Sequence, residues 1–168
     1  VIELFMNGPH LATGRLETGN PNLKSETSNN FDITFNFDNG DYYGVASFYI
    51  NDVDNYITLM DEEDDHGDEH GDEHGNLIHA NYVQENAEFD GYEFEFGRIL
   101  SLGSGELTLS FGRDVVNAKF SDGHYVPRIN PSRNIYSLAY TQDDLVFRLS
   151  MKDVDKQNDF GEGETATD

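Results

Sequence analysis

The stretch Phe31-Asp32-Ile33-Thr34-Phe35-Asn36-Phe37 alternates apolar and polar side chains at every position, and the fold class follows from this alternation. Successive side chains of an extended strand point to opposite faces, so the stretch has one apolar face and one polar face. Five further stretches alternate in the same way or are rich in aromatic and β-branched residues: residues 42–57, 81–96, 106–111, 134–141 and 145–152. We therefore predict an all-β fold with about six strands and little helix.

The links between these stretches alternate in length, which indicates how the strands are connected. Residues 38–41 read Asp-Asn-Gly-Asp, and an Asn-Gly pair suits a tight hairpin turn because both residues tolerate a positive φ. Two more links are short and three are longer and polar: residues 101–105 and 141–144, then residues 60–78, 121–131 and 155–168. Alternating short turns and long loops are typical of an antiparallel meander, either in a soluble sandwich or in an outer-membrane barrel.

The composition limits the partners that the protein can have. The 168 residues include 33 Asp and Glu against 10 Lys and Arg, a formal charge of -23. This charge argues against nucleic acid and against an anionic inner-leaflet surface as partners. No stretch approaches the ~20 apolar residues of a membrane helix, and the chain has no Cys for disulfides or thiolate metal sites. The chain begins at Val1 without the basic and apolar regions of a leader, so we expect a piece of a larger protein.

The sharpest chemical signal lies in residues 61–76, where His-Gly-Asp-Glu occurs twice and begins a third time. Nine residues of this segment are acidic, and its three His stand four residues apart. Imidazole and carboxylate are ligands that suit Zn²⁺, and imidazole also suits Ni²⁺ and Cu²⁺. We predict a metal-binding loop with nearby His as further candidates, and the candidate ligands are His66, His70, His74, Asp68, Glu69, Asp72, Glu73, His79 and His10.

Two other interpretations of residues 61–76 are open. A charge-rich run is commonly a solvated, low-complexity surface whose His content is incidental. Nine carboxylates would also suit Ca²⁺, but the Asp-x-Asp-x-Asp-Gly ladder of an EF-hand is absent and imidazole is unusual for a hard cation. Elsewhere no Ser/His/Asp set lies on a nucleophile elbow and no Gly-rich phosphate loop follows a strand. We therefore predict no enzyme and no organic cofactor.

Four segments, in the expected order, resemble the C-terminal barrel part of TonB-dependent outer-membrane receptors. Residues 19–26 (Gly-Asn-Pro-Asn-Leu-Lys-Ser-Glu) resemble the family segment that leads into a barrel strand, and residues 87–95 (Ala-Glu-Phe-Asp-Gly-Tyr-Glu-Phe-Glu) resemble one of its strands. Residues 127–133 (Pro-Arg-Ile-Asn-Pro-Ser-Arg) resemble its Pro-Arg-Ile-Pro-Pro-x-Arg entry into a strand, with Asn130 in place of a proline. Residues 8–13 (Gly-Pro-His-Leu-Ala-Thr) resemble a link found in a branch that includes zinc receptors.

The resemblance implies part of a 22-stranded transmembrane β-barrel in the outer membrane of a double-membraned bacterium, with this chain supplying about six strands. It implies that the apolar strand faces contact outer-membrane lipid and that residues 61–76 form an extracellular loop. The family's receptors contact the TonB complex through an N-terminal plug domain, which has no counterpart in this sequence. Residues 1–168 are therefore interpreted as a fragment of the receptor barrel without the plug.

These observations lead to one preferred function and two alternatives. The preferred function is uptake of a divalent metal, most favourably Zn²⁺, with residues 61–76 capturing the ion. Within the same family, the cargo would alternatively be an iron siderophore, haem or cobalamin, which we expect to depend more on aromatic and basic loop residues. The second alternative is a secreted all-β metal-binding or adhesion module, in which the Phe rows would be buried rather than exposed.

Overall fold

The structure of the protein is a computed structural model, which describes residues 1–62, 77–161 and 163–166. These described residues form one short helix and eight strands. In chain order the elements are α1 Ile2–Phe5, β1 Asn7–His10, β2 Arg15–Thr18, β3 Thr27–Asp38, β4 Tyr42–Asp61, β5 Ile78–Leu102, β6 Gly105–Phe120, β7 Arg133–Gln142 and β8 Leu145–Val154. Within the described ranges, no helix has the length and apolarity needed to cross a membrane.

Strands β3 to β8 pair in chain order, each antiparallel to the next, and so form a meander. These six strands coincide with the six predicted stretches, which confirms the all-β prediction. β3, β4, β5 and β6 run further than predicted, because backbone pairing continues where the alternation of side chains stops. β1 and β2 were not predicted. β2 pairs in parallel with the start of β5, where Arg15 lies beside Ile78.

The short and long links lie at opposite ends of the sheet, as the meander requires. The turns between β3 and β4, β5 and β6, and β7 and β8 lie at one end, which we call the turn end. At the first of these turns the N–H of Asn39 donates to the carbonyl of Tyr42 at 3.0 Å, and Gly40 has a φ of 90°. The longer links, together with β1 and β2, lie at the other end, which we call the loop end.

The two faces of the sheet differ in chemistry. On the apolar face, cross-strand partners such as Phe31 and Ile50, or Ile33 and Phe48, are exposed to the surroundings. Ring pairs continue this face across the middle strands, with centroids 6.2 Å apart for Phe48 and Tyr92, 5.6 Å for Phe94 and Phe111, and 5.1 Å for Phe111 and Tyr136. The residues that alternate with these along each strand lie on the polar face. The exposed Phe rows are those expected of a lipid-facing barrel wall and not of a soluble sandwich.

The buried core is small and lies at the loop end. Its four members are Ala87, Ala118, Phe120 and Val126, with Tyr56, Met60, Phe89 and Ile129 packed around them. Ala87 and Phe120 are cross-strand partners at the point where the link after β6 begins. In contrast, every residue of β3 and of β8 is exposed. The internal packing therefore lies at the loop end, where residues of β4, β5 and β6 meet Val126 and Ile129 of the link after β6.

A β-bulge in β4 separates these two parts of the sheet. The register shifts between Val53 and Tyr56, so β4 has one more residue here than β5. Asn55 adopts a φ of 57°, its N–H donates to Asn86 Oδ1 at 3.0 Å, and its carbonyl accepts from Gln84 Nε2 at 2.9 Å. Before the bulge the odd-numbered residues of β4 lie on the polar face, and beyond it the even-numbered residues do.

Candidate functional site

Most of the predicted metal ligands lie outside the described residues. These are His66, His70, His74, Asp68, Glu69, Asp72 and Glu73. The structure does describe the two strands that this segment joins. Asp61, at the end of β4, is the cross-strand partner of Ala80 in β5, and the N–H of Glu62 donates to the carbonyl of His79 at 2.8 Å. The predicted metal-binding segment therefore begins and ends on neighbouring strands at the loop end.

An ion pair holds the base of this hairpin to β2. Arg15 donates from Nε to Asp61 Oδ1 at 2.6 Å and from its second nitrogen, Nη2, to Asp61 Oδ2 at 2.7 Å. The side chains are 21% and 14% exposed, so water screens the pair only in part. The hydrogen bonds that Arg15 donates to Asp61 raise the pKa of the guanidinium above its ordinary value. Both oxygens of Asp61 are thus occupied by an arginine, which makes this carboxylate a support for the hairpin.

His79 lies at the base of the hairpin, as the sequence led us to expect. Its side chain is exposed. The exposed carboxylate of Glu62 lies on the neighbouring strand end, where its Oε1 accepts a hydrogen bond from Asn81 Nδ2. Glu62 was not among the predicted ligands, because nothing in a run of five consecutive acids distinguishes one from the next. Its position opposite His79 makes it a further candidate.

His10 lies in β1 and is paired with a buried carboxylate. Its Nδ1 is 2.8 Å from Oε1 of Glu17, a residue with only 4% of its surface exposed. Tyr82 also donates to Glu17, from its hydroxyl to Oε2 at 3.4 Å, and Thr13 donates to Oε1 at 3.5 Å. A carboxylate only accepts hydrogen bonds, so Nδ1 carries the proton and Nε2 is the nitrogen left for a metal. Glu17 is a residue that the sequence analysis missed.

The described residues alone do not complete a metal centre. In the ranges that the structure covers, no group of three or more His, Cys, Asp or Glu side chains is close enough to hold one ion. His10 and His79 are therefore placed at the same end of the sheet by β1, β2 and β5, without being joined in one closed site. A site that includes either of them needs ligands beyond the described residues.

Three carboxylates lie together on the polar face, nearer the middle of the sheet. Glu93 of β5 is the cross-strand partner of Asp114 of β6, and Glu95 follows on the same face. They line a cavity of about 250 Å³. Arg133 donates from Nε to Asp114 Oδ1 at 2.8 Å, and Tyr43 donates from its hydroxyl to Glu95 Oε1 at 2.9 Å. Part of the negative charge is thus compensated within the sheet, and the remainder favours cations over anions at this face.

The comparisons with known proteins agree with this architecture. The family model described as "TonB dependent receptor-like, beta-barrel" matches residues 1–165. Among solved structures, a chain named "Copper transporter OprC" matches with a TM-score of 0.67 and 20% identity, over 95% of this chain and 22% of that one. The FrpB iron transporter from Neisseria meningitidis, F3-3 variant, matches with a TM-score of 0.48 and 15% identity, over 82% of this chain and 20% of that one.

The low sequence identity limits which properties of these two transporters can be assigned to this chain. At 20% identity the first shows the fold alone, and the second is too distant to carry an argument. The chain spans about a fifth of the length of either protein. Copper and iron are therefore cargoes of those transporters, and the cargo of this chain has to be argued from its own residues.

Proposed function

The chain belongs to the TonB-dependent receptor β-barrel family, and on that premise we propose that it forms part of a receptor that imports a divalent metal ion, with Zn²⁺ as the favoured cargo. Members of this family are transporters and not enzymes, and they lie in the outer membrane of bacteria with two membranes. The family assignment therefore confirms two predictions, that the chain is not an enzyme and that it lies in the outer membrane. In our proposal a plug domain elsewhere in the receptor couples transport to the TonB complex.

The observation that carries the proposal is the histidine–acid repeat of residues 61–76. Three imidazoles at a constant spacing, each followed by a glycine and separated by Asp-Glu pairs, offer nitrogen and oxygen ligands of the kind that Zn²⁺ prefers. Imidazole binds Ni²⁺ and Cu²⁺ as well, so the repeat favours borderline divalent ions as a class over Ca²⁺ or Mg²⁺.

The described residues support this proposal in two ways. First, Arg15 and Asp61 hold the base of the hairpin, and His79 and Glu62 lie exposed beside it, where they would add ligands to the repeat. Second, the carboxylates of Glu93 and Glu95 make the polar face of the sheet attractive to cations that have passed the loop end. An anionic siderophore would meet repulsion at both places, which is why we rank that cargo second.

The test is uptake of radioactive Zn²⁺ by bacteria whose only zinc receptor is the intact protein. We expect the combined substitution His66→Ala, His70→Ala and His74→Ala to lower uptake by about tenfold or more at limiting Zn²⁺, the size of loss that removing metal-site partners brings. At saturating Zn²⁺ the rate should approach that of the parent, because the loop contributes binding and not the transport step. The matched control is Gly67→Ser, Gly71→Ser and Gly75→Ser, which keeps every ligand of the repeat.

Three results would reject the proposal in different ways. Equal uptake by the parent and the His-free variant would remove the loop as a capture site. Equal losses in the His-free and Gly-to-Ser variants would mean that loop conformation, and not imidazole, matters. An absence of Zn²⁺ uptake by the parent, with uptake of an iron chelate instead, would replace the metal ion by the alternative cargo.

Acidity provides a second measurement on the same protein. Metal capture requires neutral imidazole, so we expect uptake at limiting Zn²⁺ to fall as the external pH drops through ~6.5. The His-free variant should lack this step in its pH profile. An identical step in both proteins would place the titrating group outside residues 61–76.

A further inference from the structure

A second cavity, of about 630 Å³, lies at the loop end where several links of the chain meet. Its walls come from the end of β4, from β5, from the link after β6 and from the segment after β8. The lining residues that matter here are Met60, Glu85, Phe120, Asp122, His124 and Phe160. Apolar side chains thus form much of the wall, while one imidazole and two carboxylates supply the polar groups.

The turn that carries His124 is held in place by hydrogen bonds. The N–H of Phe120 donates to the carbonyl of His124 at 2.9 Å and closes the turn. Gly123 has a φ of 93°, which suits glycine far better than other residues. Glu85 Oε1 accepts from the hydroxyl of Ser121 at 3.2 Å, so β5 supports the turn from below.

The segment after β8 is fastened to the same link. Glu164 accepts the N–H of Arg128 on Oε1 at 2.7 Å and the N–H of Gly161 on Oε2 at 3.0 Å. This carboxylate therefore holds Phe160 and Gly161 against the link after β6. The cavity thus lies between a turn and a segment that are each held by hydrogen bonds.

The imidazole of His124 has the environment of a metal ligand. Its Nδ1 lies 2.7 Å from Oδ2 of Asp122, and because a carboxylate only accepts, Nδ1 carries the proton. Nε2 then keeps its lone pair. A carboxylate on the far nitrogen is the usual arrangement by which proteins orient a metal-binding His. The side chain is 83% exposed, so an ion from solution can reach Nε2.

Glu85 lines the same cavity as His124 and offers a candidate second ligand. Its two hydrogen bonds, from Ser121 and from the N–H of Asp122, both fall on Oε1. Among the described residues, Oε2 of Glu85 accepts no hydrogen bond. Glu85 is partly exposed, so an ion from solution can reach this oxygen as well.

We propose that His124 Nε2 and Glu85 bind a borderline divalent cation, with Zn²⁺ as the probe, and that Asp122 positions the imidazole. This inference deepens the proposed function, since it rests on a divalent metal being the cargo. Two protein ligands leave the remaining positions to water, so the ion is held more weakly than in a closed site with four protein ligands. A weak, open site can accept an ion from solution and release it again.

The experiment uses the intact receptor with His66, His70 and His74 replaced by Ala, so that binding by residues 61–76 is removed. Zn²⁺ binding is measured by calorimetry, and crystals soaked in Zn²⁺ are examined by anomalous diffraction at the zinc edge. In this background we expect His124→Ala and Glu85→Gln to weaken the remaining site at least tenfold, and Asp122→Asn to weaken it about 10–100-fold. Glu88→Gln, on an exposed carboxylate of β5 outside the cavity, should leave it unchanged.

The anomalous peak should lie about 2.0–2.1 Å from His124 Nε2. Unchanged binding in His124→Ala, or a peak elsewhere with none at His124, would overturn the inference. Retained binding in Asp122→Asn with loss in His124→Ala would overturn the positioning role alone. Because the loop His are absent throughout, these outcomes do not depend on whether residues 61–76 capture metal, and failure of either proposal is recognised separately.

Discussion

The turn end and the loop end of the sheet are built from the same strands but are stabilised in different ways. Toward the turn end no hydrophobic side chain of the described residues is buried, the outer strands β3 and β8 are exposed throughout their length, and the aromatic rings of the apolar face contact each other across and along the strands. The loop end has the buried core around Phe120 and the paired side chains of Arg15 and Asp61. The turn end therefore depends on the surrounding lipid, whereas the loop end depends on contacts within the chain.

The largest effect should come from placing a charge on the apolar face of the turn end. Leu149 of β8 is 61% exposed there, and Leu149→Arg in the intact receptor should lower the free energy of unfolding in a phospholipid bilayer by ~2–4 kcal/mol. Ser137→Arg places the same charge on the polar face, beside the acidic cavity, and should cost much less. Denaturant unfolding of both variants in bilayers measures the difference. Equal losses would contradict the assignment of the two faces.

A smaller and more local effect is expected at the loop end. Arg15→Ala removes both hydrogen bonds to Asp61 and leaves a half-buried carboxylate unpaired, at a cost of ~1–3 kcal/mol. Amide exchange measured by mass spectrometry should rise in residues 77–82, where the N–H of Ile78 donates to the carbonyl of Gly14. Arg15→Lys keeps the charge without the two-point geometry and should give an intermediate result.

The comparison requires that this change stays at the loop end. Exchange in the part of β7 that lies beside the turn end should be the same in Arg15→Ala as in the parent. If protection falls throughout the sheet, then the ion pair stabilises the whole protein, and the division into two independently stabilised ends is wrong.

The smallest effect concerns acid. The pKa of Asp122 lies below its ordinary 3.8, mainly because the backbone N–H of His124 donates to its carboxylate. A depressed carboxyl pKa stabilises the folded turn above 3.8, and this contribution is lost as the pH falls through the lower folded value. At each pH, exchange in residues 121–126 is compared between the parent and Asp122→Asn. The parent should be better protected above 3.8, and the difference should shrink below it.

How far the sequence predicts this molecule depends on how local the signal is. The strand pattern of residues 31–37 is local, because side-chain alternation along one segment already defines two faces. The short β1 and β2 have no such alternation. They form because β2 finds a partner in β5 more than sixty residues further along the chain, as in the pairing of Arg15 with Ile78. Pairing of this kind is tertiary and leaves no periodic trace.

The candidate site shows the same limit. The spacing of His66, His70 and His74 is visible in the sequence, and their structure lies outside the described residues. The side-chain pairs at the loop end are not visible in the sequence. Arg15 and Asp61 are 46 residues apart, and the carboxylate beside His10 is Glu17, which no motif distinguishes from the other acids. Residue types predict which chemistry is available, and the register of the strands decides which groups meet.

The bulge at Asn55 changes which residues of β4 face the polar side of the sheet: the odd-numbered ones before it and the even-numbered ones beyond it. Beyond it Met60 lines the larger cavity, while Asp61 points the other way and meets Arg15. Removal of the extra residue would exchange these two positions, so the cavity would lose a wall and the hairpin would lose its ion pair. Insertions or deletions in β4 beyond the bulge should therefore be tolerated when they comprise two residues and not when they comprise one. If residues 61–76 are grafted onto another barrel, the strand that precedes them must present its residues to the same two faces as β4 does beyond the bulge.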